Sequence, residues 1–304
     1  MTGGERGGRG GRGGRQLAGV LAPITTPFDS ATGEVAPVHL RHNVTRLLEA
    51  GLDGVVVAGS TGESALLDPE EQRRMVGWVR EVVPDCCWLL AGTGGESTRQ
   101  ALALTRAAAA EGADAVLVRP PAYFSAGLTP ASLADYYRAV ADASPVPVLV
   151  YNIPKYTHLA IAAGLLQQLV AHRNIVGVKD SSGDAKNLAA YRDAAPNWSV
   201  FVGSGSLLFQ ALELECDGGI LAVACFAAAL AARVYATFRA GDLAGAGKLQ
   251  ERLGPLDKEI VGKLGPAGVK AAMDSVGLYG GPVRAPLAPV EASDRERVTK
   301  LVAA

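Results

Sequence analysis

The chain has 304 residues, 49% hydrophobic and 19% charged, with a formal net charge of −1. That is an ordinary globular composition, long enough for one large core or two domains, and it gives no reason to expect a nucleic-acid or acidic-membrane partner for the body of the protein. No run of about 18 apolar residues occurs, and no apolar segment of signal-peptide length follows the first arginines, so no membrane anchor is expected and the protein reads as cytoplasmic.

The first fifteen residues, "MTGGERGGRGGRGGR", are glycine with spaced arginines and nothing apolar to bury. Residues 1–15 are therefore expected to be a disordered tail. An RGG-like tail can touch RNA; the plainer reading is a solvated extension or a mis-assigned start.

Eight short apolar runs follow. They are "GVLAPITTPF" (19–28), "GVVVAGSTGES" (54–64), "CWLLAGTGGES" (87–97), "DAVLVRPPAY" (114–123), "VPVLVYNIP" (146–154), "NIVGVKDSSG" (174–183), "WSVFVGSGS" (198–206) and "GGILAVAC" (218–225). Each is nearly continuous in Val, Leu, Ile and Ala, as strands buried on both faces are. Between them lie amphipathic stretches with helix start signals. Asp68-Pro69-Glu70-Glu71 supplies a capping residue, a proline at the first helical position and a carboxylate at the third. Thr129-Pro130 opens the next such stretch in the same way, and "STRQALALTRAAAAEG" stops at Gly112. Repeated strand–helix units at this spacing predict a (β/α)8 TIM barrel over 16–230. A doubly wound open sheet is the alternative, but no GxGxxG opens the first unit. After residue 225 the strand signal stops. Residues 231–304 read as a helical extension packed on the barrel, with the turn-rich "YGGPVRAPLAPV" before a last helix.

Cys86, Cys87, Cys216 and Cys225 show no CxxC spacing and are expected to be core thiols. The four histidines show no ligand pattern, so no metal centre is expected. "AGSTGES" and "AGTGGES" are glycine-rich but lack the GxxxxGK[ST] arrangement of a nucleotide loop.

In a barrel of this type the active site lies at the C-terminal ends of the strands. The tips offer Ser60, Thr61 and Glu63; Arg119 and Tyr123; Tyr151, Asn152 and Lys155; Lys179 and Ser181; and Ser204. Tyr151 and Lys179 end consecutive strands, about 4.8 Å apart if these pair. A lysine in a partly desolvated pocket has its charged form disfavoured, which frees the amine for Schiff-base chemistry on a carbonyl. The competing reading is a structural ion pair between Lys179 and Asp180 or another acid.

"GSTGES", "YNIP" and "GVKDSSGD", in that order at these tips, resemble the pyruvate-dependent class I aldolases, the superfamily of dihydrodipicolinate synthase and N-acetylneuraminate lyase. The opening "TTPF" and the late "GPAGVKAAM…GLYGGPVRAPL" extend the resemblance from about Gly19 to the C-terminus. It implies an imine between Lys179 and pyruvate, with no other cofactor. It implies proton shuttling by Tyr151, a hydrogen bond from Thr61 to Tyr151, and a pyruvate carboxylate held by the hydroxyl and N–H groups of Ser60 and Thr61. Tyr123 matches a tyrosine that reaches across a subunit interface in related enzymes, although "RPPAYF" departs from the usual adjacent tyrosines. Gly203 and Leu221 would line the pocket with backbone groups. The partners implied are a 2-oxo acid, an aldehyde, and further copies of the chain in a homodimer or homotetramer.

The second substrate is read from the residues after "YNIP". Dihydrodipicolinate synthases usually carry an arginine two positions beyond that proline, which binds the carboxylate of aspartate semialdehyde. Tyr156 stands there instead, with Lys155 beside it as a different cation. "LLAGTGGEST", "ASPVPVLVYNIP" and "YGGPVRAPL" look most like 4-hydroxy-2-oxoglutarate aldolase, which releases pyruvate and glyoxylate. The expectation is that cleavage, with condensation of pyruvate and aspartate semialdehyde, or another 2-keto-3-deoxy acid aldolase, as alternatives. A non-catalytic barrel would have little reason to keep the set Lys179, Tyr151 and Thr61.

Overall fold

The structure, a computed structural model, describes residues 16–304. The expected tail over 1–15, and any RNA contact it makes, lies outside the described residues. Eight parallel strands close into a barrel in chain order: β1 (Gly19–Pro23), β2 (Gly54–Val57), β3 (Trp88–Gly92), β4 (Ala115–Val118), β5 (Val148–Asn152), β6 (Ile175–Asp180), β7 (Ser199–Val202) and β8 (Gly218–Ile220). The fold is the TIM barrel expected from the eight runs.

Alternation along each strand explains why the runs read as continuous. Leu21, Val56, Leu90, Leu117, Leu149, Phe201 and Ile220 fill the barrel interior. Their neighbours Val20, Val55, Leu89, Val116, Val148, Val150 and Val200 face the helices. Both faces are dry, so both parities are apolar. The start signals operate as read. Asp68 caps the helix Pro69–Arg80 in a reciprocal capping box with Glu71, and Thr129 does the same with Ser132 for Pro130–Ala143.

Beyond β8 the chain is helical over Ala228–Arg239, Leu243–Leu256, Lys263–Ser275 (broken by a kink at Gly265) and Ala292–Ala303, with a π-helical turn at Asp257–Gly262. The late motif "GVKAAM…GGPVRAPL" clamps this extension onto the loop after β2. Lys270 Nζ lies 2.5 Å from Glu63 Oε1 and donates to Pro282 O at 2.6 Å. Arg284 grips Glu71 with both guanidinium nitrogens, at 2.6 and 2.7 Å, and its N–H donates to Glu63 Oε2 at 2.8 Å. Glu63 is held at φ +58°, a left-handed conformation that costs a residue with a side chain about 1–2 kcal/mol. Burial lowers the pKa of Lys270, and Glu63 opposes that shift. Removing one partner of such a buried pair strands the other charge. Lys270→Ala is therefore expected to lose about 3–5 kcal/mol of unfolding free energy, measured by urea denaturation.

The cysteine expectation needs correction. Cys216 and Cys225 are buried, but Cys86 is exposed and Cys87 only half-buried. They sit in the turn before β3, where the Cys87 N–H bonds Pro84 O at 2.9 Å, so the chain has not yet entered the sheet. Among the described residues no helix is long and apolar enough to cross a membrane.

Candidate active site

β5 and β6 bring the site together. Tyr151 pairs with Lys179 in register, and Asn152 with Asp180 one step on. Strand parity then separates the four side chains. Tyr151 and Lys179 point into the barrel mouth; Asn152 and Asp180 point toward the helices. Lys179 Nζ lies 3.4 Å from the Tyr151 hydroxyl and 4.4 Å from its ring centroid. Lys179 is 4% and Tyr151 5% exposed.

Parity also decides against the ion-pair reading. Asp180 is turned away from Lys179. Its carboxylate accepts from Asn152 Nδ2 at 2.6 Å and from the Ser182 hydroxyl at 2.7 Å. Burial raises its pKa, while those two hydrogen bonds oppose the rise. Asn152 Oδ1 in turn accepts from the Ile161 N–H at 3.0 Å, so this outer pair anchors the loop after β5. Among the described residues no carboxylate lies within ion-pair distance of Lys179.

Lys179 and Tyr151 open into a cavity of about 170 Å³ that Ser60, Thr61, Gly203 and Lys155 also line. In the turn after β2, Gly59 O accepts from the N–H groups of Gly62 and Ser64. Among the described residues the N–H groups of Ser60 and Thr61 donate to nothing. Unclaimed backbone donors in a turn, with two hydroxyls beside them, are the kind of group from which anion sites are built. Gly203 closes the opposite side. Its N–H donates to Asp180 O at 2.6 Å, and a Cβ there would collide with Ser181 Oγ, so glycine is required by the close approach. A neighbouring cavity of about 200 Å³ shares Ser60 and Tyr151 but not Lys179, and is walled by Arg119, which pairs with Glu96 at 2.9 Å.

Three expected placements differ. Thr61 lines the cavity with Tyr151, but no hydrogen bond joins them. Leu221 is not among the lining residues. Its side chain is fully buried in the core, its N–H donates to Leu21 O and its carbonyl accepts from Ala224, while its neighbours Ile220 and Ala222 face the cavity. Tyr123 is 82% exposed, packed edge-on against Phe124, and does not line the cavity of its own chain. The Glu96 carboxylate accepts from the Ala122 and Tyr123 N–H groups, which fixes that loop with both aromatic rings turned outward.

The sequence reading missed a whole wall. Asp257, Val261, Gly262, Gly265, Pro266 and Val269 of the C-terminal extension line the same cavity. Pro255 and Pro266, inside an otherwise helical pattern, were the available signal of an irregular segment. Lys155 Nζ donates to Gly262 O at 3.3 Å, so this wall also steadies the cation that lies over the Tyr156 ring.

Residues 16–304 match the profile of the dihydrodipicolinate synthetase family. A 4-hydroxy-tetrahydrodipicolinate synthase from Methanothrix thermoacetophila is 35% identical over 291 residues, covering 93% of this chain and 96% of that protein. An uncharacterized DapA-like lyase from Halobacterium salinarum is 37% identical over 281 residues, covering 92% of this chain and 91% of that one. The chloride-inhibited dihydrodipicolinate synthase from Acinetobacter baumannii, solved with pyruvate, superposes with a TM-score of 0.89 at 30% identity, over 95% of this chain and 98% of that chain.

Proposed function

The chain belongs to the dihydrodipicolinate synthetase family, an enzyme family of class I carbon–carbon lyases that use a lysine imine with pyruvate, and on that premise we propose that Lys179 is its imine-forming residue and Tyr151 its proton carrier. The observation that supports this reading most is the Lys179–Tyr151 contact, buried in a cavity and, among the described residues, without a carboxylate partner.

The steps follow from the residues. The carboxylate of pyruvate rests on the N–H and hydroxyl groups of Ser60 and Thr61. The neutral Lys179 amine attacks the carbonyl carbon. Tyr151 carries a proton to the departing hydroxyl, and water leaves. The protonated imine withdraws electrons from the adjacent methyl, which gives a proton back to the Tyr151 phenolate and becomes an enamine. The enamine carbon attacks the aldehyde carbon, and the new alkoxide takes the Tyr151 proton. Cleavage is the same path reversed. Tyr123 completes the proton path of a neighbouring copy in a homo-oligomer.

For the second substrate, the relatives named as 4-hydroxy-tetrahydrodipicolinate synthases favour condensation with aspartate semialdehyde over cleavage of 4-hydroxy-2-oxoglutarate. One observation favours the second reading: among the described residues Tyr156 and Lys155, and no arginine, line that part of the cavity. A comparison of kcat/KM for the two reactions tests this. Faster condensation with aspartate semialdehyde is expected; faster pyruvate release from 4-hydroxy-2-oxoglutarate would make the second reading the function. If the semialdehyde carboxylate is held by the lone Lys155 charge, Tyr156→Arg should lower its KM by about 3–30-fold, since a guanidinium adds a bidentate, charge-assisted contact.

A further inference from the structure

The cavity wall facing β7 holds a charge that the chemistry above leaves unused. Asp257 is 6% exposed and lines the cavity of Lys179 and Tyr151. Its Oδ2 accepts from the Ser204 hydroxyl at 2.8 Å and from the Ser206 N–H at 3.0 Å. Among the described residues its Oδ1 accepts no hydrogen bond, and no cationic side chain lies within ion-pair distance. Lys263, on the same segment, is engaged by Glu259 at 2.7 Å.

Ser206 Oγ lies 2.9 Å from Ser204 Oγ. The Ser204 proton is committed to Asp257, so Ser206 is the donor in that contact. Ser204 Oγ keeps one lone pair and no proton. This wall therefore offers acceptors only, Asp257 Oδ1 and Ser204 Oγ. A buried carboxylate balanced by two neutral donors lacks a cation. Lys155 lines the same cavity and is held on Gly262 O, at the other end of the π-helical turn that begins at Asp257. One short turn thus sets an anion and a cation on the second-substrate side of the imine.

We infer that Asp257 is a specificity residue that binds the ammonium group of the second substrate, which is an aldehyde carrying both an α-ammonium and a carboxylate, the carboxylate facing Lys155. The inference rests on the imine reading of Lys179 and narrows the electrophile. An acceptor whose free end is a carboxylate alone, such as glyoxylate, brings like charge toward Asp257.

The test removes the charge from each side. Succinic semialdehyde is aspartate semialdehyde without its ammonium. With pyruvate, the unmodified protein should prefer aspartate semialdehyde by about tenfold or more in kcat/KM, chiefly through KM. Asp257→Asn should erase that preference and leave kcat/KM for glyoxylate unchanged or raised, while borohydride still traps pyruvate on the variant. Equal kcat/KM for the two semialdehydes in the unmodified protein overturns the inference, as does a preference that survives in Asp257→Asn. If that variant does not fold, Asp257→Ser takes its place, with the same loss of preference expected and a surviving preference overturning the inference. Failure to trap pyruvate on the unmodified protein would instead remove the imine reading, so the two failures are distinct.

Discussion

Lys179→Ala should leave no covalent pyruvate adduct after borohydride reduction, and turnover should fall by about 10³-fold or more. The size follows from the site. On the proposed reading the amine of Lys179 is the nucleophile, and it is buried in the cavity it shares with Ser60, Thr61 and Tyr151. Lys155 lines the same cavity but is exposed and held on Gly262 O, at the loop after β5, so it stands on the second-substrate side. Intact mass after reduction is the direct measurement. The unmodified protein should gain the mass of reduced pyruvate and Lys179→Ala should not. An adduct persisting in the variant would move the imine to another lysine. The fold should survive, because Lys179 makes no ion pair among the described residues and its removal strands no buried charge.

Tyr151→Phe should lower kcat by about 10²–10³-fold, the range of a single positioned acid–base group, with a much smaller change in KM for pyruvate. The ring is buried and keeps its packing in the barrel interior, so the substitution removes little beyond the hydroxyl. That hydroxyl lies 3.4 Å from Lys179 Nζ, where it can reach the oxygen leaving the carbinolamine. Borohydride should still trap pyruvate on this variant, more slowly, since the nucleophile remains. Single-turnover trapping separates the two steps. An unchanged trapping rate together with lowered kcat would place Tyr151 in carbon–carbon bond chemistry alone. Unchanged kcat would exclude it as the proton carrier.

Much of the site was legible because the barrel imposes a rule on position. Each continuous apolar run had to be a strand dry on both faces, and eight of them with helices between leave chemistry only at the strand ends. Lys179, Tyr151, Ser60 and Thr61 therefore share one mouth although 119 positions of numbering separate Ser60 from Lys179. The Leu221 side chain looks away from the cavity because a strand end offers two faces and a one-residue step changes sides. Ile220 and Ala222 look into the cavity; Leu221 looks into the core. The cysteines before β3 were misread for a related reason. An apolar run does not mark where the sheet begins, and the strand starts at Trp88.

By itself the sequence determined the barrel, its helix starts at Asp68 and Thr129, the order of its strands and the placement of Tyr151 and Lys179 at two adjacent tips, because these depend on local pattern and on short-range register. The tertiary structure decided what depends on distant segments meeting. It turned Asp180 onto Asn152 and left Lys179 without a carboxylate among the described residues. It joined Lys270 to Glu63 and Arg284 to Glu71. It also brought Asp257 from the C-terminal extension against Ser204, as part of the wall of the cavity. No period or spacing encodes such meetings. They arise from the path of the chain beyond β8 and from the cost of leaving buried charges such as Glu63 and Lys270 unpaired.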